Sequence, residues 1–136
     1  MDIQKLIDTM NDLDQHTRAN YHLTLGKLIE SLAPMPGTLP VHFDWNGYSP
    51  NKERSYRGYY CDLAFDWGTE PMTVETLAGI CGRALGSTYM GYKGGDYVMG
   101  DRTPLWAAEY GHEGRAIVGI SLADDRVIII TKDLEE

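Results

Sequence analysis

Cysteine, phenylalanine and positive charge are all scarce in this 136-residue chain, and no long apolar run occurs in it. Its two cysteines, Cys61 and Cys81, are too few for a disulfide scaffold and read as reduced, buried thiols acting as small hydrophobes. No apolar stretch approaches the ~20 residues that span a bilayer, so no membrane segment is expected. The start, "MDIQKLIDTMNDLD", is acidic and lacks a secretion-signal pattern, which makes a cytoplasmic location the expectation. Only 12 basic residues stand against 20 acidic ones, for a net charge of −8. A field of that sign repels polyanions at long range, so direct nucleic-acid binding is not expected. A small anion held by a local basic cluster remains open. So does an acidic surface that imitates DNA; its carboxylates would then form a stripe at phosphate-like spacing. Scattered acids serve solubility more simply.

What is present reads as one globular domain, with 43% hydrophobic and 24% charged residues. Ile3, Leu6, Ile7, Met10 and Leu13 share a helical face over residues 3–15, and "QHTRANYH" interrupts it. Thr24 is placed to cap "LGKLIESL", and Thr73 to open "VETLAGICGRAL", which Gly86 ends. "VHFDW" and "YRGYYCDLAFDW" read as strands around a polar loop, "NGYSPNKERS". "PLWAAEY", "RAIVGISL" and "RVIIITK" complete the chain as strands, the last two joined in a hairpin at "ADD". The expected fold is α+β: a mixed or antiparallel sheet on two or three helices, with residues 1–23 a helical extension and 24–136 the domain.

The order allows two related α–β–β units. "TLGKLIESL" matches "TVETLAGIC", and each is followed by a proline, Pro40 or Pro104. The second threonine–proline interval is longer by 15 residues, (104 − 73) − (40 − 24), the length of the glycine-rich stretch 86–100. Further on, Arg57 aligns with Arg115.

Two stretches offer binding chemistry. In "SYRGYYCDLAF", period-two alternation places Arg57 and Tyr59 on one strand face, suited to a planar anion through fork hydrogen bonds and stacking. In "GYKGGDY", Gly94 and Gly95 let backbone N–H groups converge beside Lys93 and Tyr92. Each has a plain structural reading as well, an aromatic strand and a hairpin tip. Together they suggest one ligand-binding site of Arg57, Tyr59, Tyr92, Lys93, Gly94 and Gly95, within a chain or across a dimer. His16, His22, His42 and His112 form no metal-ligand spacing, and neither metal nor cofactor is expected. There is no nucleophile elbow, so catalytic residues are not assigned.

The combination "TLGKLIESL", "SYRGYYCDLAF", "GYKGGDYVM" and "TPLWAAEYG" resembles a family of small bacteriophage and prophage proteins over roughly residues 24–120. The resemblance implies an accessory protein made in an infected bacterial cell, of an anti-defence type that sequesters a signalling nucleotide or blocks a host protein. It transfers no catalytic residue. The helix before Thr24 is a departure from the shorter members and suits a homodimer. The expected function is therefore a non-enzymatic binder of a small phosphorylated ligand or a host defence protein. The alternatives are an acidic DNA mimic and a small hydrolase or transferase using Asp62, Asp96 or Glu109 with Lys93.

Overall fold

Thr24 and Thr73 each cap a helix, as their positions predict. The computed structural model describes residues 15, 17–56, 59–90, 95–108 and 114–133. Thr24 Oγ1 accepts from Lys27 N–H at 3.4 Å and Thr73 Oγ1 from Thr76 N–H at 3.3 Å, satisfying donors at the starts of α1 (Leu25–Leu32) and α2 (Val74–Ala84). Leu25, Leu28 and Leu32 from α1 meet Val74, Leu77 and Cys81 from α2 in one core. Glu75 in the first turn of α2 and Arg83 in its last complement the helix dipole.

The sheet is mixed. Its strands are β1 (Pro40–Phe43), β2 (Ser49–Ser55), β3 (Leu63–Gly68), β4 (Met72–Thr73), β7 (Leu105–Ala107), β8 (Arg115–Leu122) and β9 (Val127–Lys132), while β5 (Thr88–Met90) and β6 (Asp96–Val98) form a separate hairpin. The spatial order β2-β3-β7-β8-β9-β1-β4 curls until β2 lies beside β1, where Phe43 N–H donates to Tyr48 O at 2.8 Å. The inner face carries Phe43, Phe65, Leu105, Ile117 and Ile129 against the helices. Period-two alternation sends Ala64, Trp106 and Ala116 to the outer face, where they gather with Tyr56 in a second buried cluster.

Two units interlock, each an α–β–β–β run. β1 pairs in parallel with β9 (Val41 opposite Val127), and β7 in parallel with β3 (Leu105 opposite Leu63). The capping threonine of each unit pairs with the other's proline, Thr73 with Pro40 and Thr24 with Pro104. Val74 N–H donates to Leu39 O and Leu25 N–H to Thr103 O, both at 2.9 Å. Even the irregularities correspond: register shifts fall at Pro50/Glu53 in β2 and at Ile117/Gly119 in β8. The stretch 86–100 is the β5–β6 hairpin, closed at its base by Gly86 N–H to Met99 O at 2.6 Å and Met99 N–H to Ser87 O at 3.0 Å. Gly86 has φ +81°, which a side chain would strain.

Several expectations need correction. "SPNKERS" is strand β2 and not loop, because antiparallel pairing with β3 supplies its backbone hydrogen bonds while Asn51 and Lys52 stay exposed. The strand containing "CDLAF" starts at Leu63; Tyr56 N–H bonds Asp62 O at 2.9 Å, and Asp62 N–H bonds Tyr59 O at 2.8 Å, closing residues 59–62 in a turn where alternation does not apply. β1 ends at Phe43, leaving Trp45 in a turn. The pairing makes β9 the counterpart of β3, so Arg115, which opens β8, is not equivalent to Arg57. "QHTRANYH" is helical at Gln15 and at 17–19. Residues 3–14 of the expected first helix lie outside the described residues, and no described helix is long and apolar enough to cross a membrane.

Candidate functional site

Asp62 is fully buried where the turn 59–62 runs into β3. A buried carboxylate is tolerated only when its oxygens are satisfied. Here Arg18 grips it with both arms, Nε to Oδ2 at 2.6 Å and Nη2 to Oδ1 at 2.9 Å, and Trp106 Nε1–H donates to Oδ2 at 2.8 Å. The guanidinium lies 3.7 Å from the Tyr59 ring centroid, and Trp106 stacks on Tyr56 at 4.2 Å and 8°. Burial alone would lower the Arg18 pKa; the Asp62 hydrogen bond and charge more than offset it, holding the group above its ordinary value. Cys61, beside this pair, is no thiolate at neutral pH. Burial, then the Asp62 charge, pushes its thiol up to about 11.

His22 packs edge-on against Trp106, with ring centroids 4.6 Å apart, and its Nδ1 lies 3.0 Å from Leu105 O. A carbonyl oxygen only accepts, so Nδ1 carries the proton and the neutral ring presents Nε2 as a bare lone pair. That Nε2 is buried with no hydrogen-bond partner among the described residues, and the residue is only 5% exposed. Burial lowers the His22 pKa below 6.5, outweighing the Leu105 carbonyl and the Asp62 charge. The unfolded chain then takes up a proton that the folded one refuses, so stability is full above 6.5 and falls as pH drops below it. Urea midpoints should therefore decline from pH 7.5 to about pH 5.5 by more in the native chain than in His22→Gln. An equal decline in both would show that His22 is not the group responsible.

Arg18 and His22 open onto a cleft of about 340 Å³ lined by Thr17, Arg18, Tyr21, His22, Val118 and Lys132. Two of the six are cationic and none is acidic. Arg18 is committed to Asp62, while Lys132 is exposed and has no ion pair among the described residues. The volume lies at the small end of ligand pockets, about 300–1,000 Å³.

The interlocked units give this cleft a counterpart of about 400 Å³, whose lining includes Asn51, Gly68, Glu70 and Pro71. By the correspondence of capping threonines and strand registers, Tyr21 maps on Glu70, His22 on Pro71, Val118 on Asn51 and Lys132 on Gly68. The architecture thus forms a cleft at both places, but only one holds a histidine and a lysine.

The two stretches singled out in the sequence meet in space: the rings of Tyr60 and Tyr97 lie 5.8 Å apart. Tyr59 is half-exposed and stacks under Arg18, and Gly95 turns at φ +90° beside the Tyr97 ring. Arg57, Tyr92, Lys93 and Gly94 lie outside the described residues, as do His16, Glu109 and His112. Among the described residues no three His, Cys, Asp or Glu side chains converge as a metal site. Arg18, His22 and Lys132 carried no local sequence signal beyond the mixture of Arg, Tyr and His in "QHTRANYH". No protein-family model, curated protein or solved structure matches the chain.

Proposed function

We propose that this chain is a non-enzymatic binding protein that sequesters a small phosphorylated ligand in the cleft of Arg18, His22 and Lys132. In the setting that its resemblance to phage proteins suggests, it would act as an anti-defence accessory, withholding a signalling nucleotide inside an infected bacterium. One observation carries the reading: in a chain of net charge −8, none of the described residues that line this cleft is acidic, and Lys132 stands on its wall. The second cleft strengthens it. Gly68 and Pro71 occupy the equivalent positions there, so the fold itself does not require a lysine or a histidine. Lys132 supplies the charge, Thr17 a hydroxyl, and the open ring of Tyr21, 73% exposed, a surface for a planar group.

Titration calorimetry with a panel of nucleoside mono- and diphosphates tests this. Lys132→Ala should weaken the bound member by about tenfold or more, since a charged hydrogen bond contributes ~1.5–3 kcal/mol. Asn51→Ala, in the second cleft, should leave affinity unchanged. Ligand recovered intact after denaturation supports sequestration; a recovered product would make the protein an enzyme. Binding that ignores Lys132→Ala would move the site elsewhere.

A further inference from the structure

Three basic side chains line the cleft, yet they do not amount to three positive charges. Arg18 brings one, and Asp62 cancels it through the two-armed pair at 2.6 and 2.9 Å. His22 brings none: its ring proton sits on Nδ1, facing Leu105 O, and burial keeps its pKa below 6.5. Lys132 is left as the lining cation with no ion pair among the described residues. The charge offered to a ligand is therefore close to a single unit, in a chain whose total is −8. Beside it the wall is apolar, formed by the Tyr21 ring and Val118. In the second cleft the lining holds Glu70 and no cation at all among the described residues.

We infer that the cleft selects a small phosphodiester over a phosphomonoester, one negative charge for one uncancelled cation. This deepens the anion-binding reading and rests on it. Attraction to Lys132 grows in proportion to the ligand's charge, whereas the cost of stripping its water grows with the square of that charge. A monoester carries about −1.5 to −2 at pH 7, so part of its charge would enter the cleft unanswered. Sites for such groups supply further cations or a metal ion; here the second cation is already spent on Asp62. A second ester bond removes one charge and adds a carbon substituent, which suits a wall of Tyr21 and Val118.

Three probes with a common phenyl ring separate charge from shape: phenyl phosphate, a dianion at pH 7.5; phenyl sulfate, a monoanion of nearly the same shape; and methyl phenyl phosphate, the diester. The native protein should bind each monoanion about tenfold more tightly than phenyl phosphate. Lys132→Ala should weaken whichever probes bind. Asp62→Asn returns the Arg18 charge to the cleft while keeping an oxygen for Trp106, and it should bring phenyl phosphate at least level with phenyl sulfate. Native protein that binds phenyl phosphate as tightly as either monoanion would overturn the inference and leave anion binding intact. So would an unchanged ranking in a folded Asp62→Asn; the native ranking decides by itself if that variant does not fold. Failure of all three probes to bind would remove anion binding in this cleft together with the inference.

Discussion

Replacing Arg18 by alanine should destabilise the fold by about 3–5 kcal/mol, the range for a buried ion pair that loses one partner. The cost comes less from the lost attraction than from what remains. Asp62 has no exposed surface, and with Arg18 gone its charge is answered, among the described residues, by the Trp106 indole N–H and the Cys61 thiol. A denaturant series on Arg18→Ala gives the number. The companion measurement is Arg18→Met combined with Asp62→Asn, which removes both charges and keeps an oxygen for Trp106. That pair should recover a large part of the loss. If the double variant is as unstable as the single one, the desolvated charge is not the cause.

Phe65→Ala should cost a comparable ~3–5 kcal/mol for a different reason, a cavity between the sheet and the two helices. Phe65 is fully buried on β3, in the same core as Leu28 and Leu77. Leu122→Ala, at 54% exposure on β8, serves as the reference and should stay within about 0.5 kcal/mol. A Phe65→Ala midpoint close to that of Leu122→Ala would mean that the core is not where the structure puts it.

These two positions also show what the amino-acid sequence reveals. Phe65 was legible: it lies in an apolar run flanked by turn residues, and burial follows from period-two alternation. The helices were legible because Thr24 and Thr73 precede apolar residues at spacings of three and four. β2 was not, since "SPNKERS" owes its strand geometry to β3 beside it and not to its own composition. The site was hidden for the same kind of reason. Arg18 and Asp62 are 44 residues apart and His22 and Leu105 are 83 apart, so no local pattern connects them. The alternation read into "YRGYY" assumed an extended backbone, whereas Ser55 Oγ–H donates to Tyr60 O, Tyr56 N–H bonds Asp62 O at 2.9 Å, and residues 59–62 form a turn.

The interlock between the units has a bearing on how the protein stays whole. Each unit's first strand finds its parallel neighbour in the other unit, and each capped helix starts against the other's proline. Neither half owns a complete sheet. A half-length chain would have to find a second copy to complete one, and the intact protein resembles such a swapped pair whose two members are joined end to end through residues 69–71. A nick in that joint would leave two fragments still clasped by strand pairing. The chain's continuity there supplies proximity more than structure, and the two clefts are free to serve different chemistry because no symmetry operator obliges them to match.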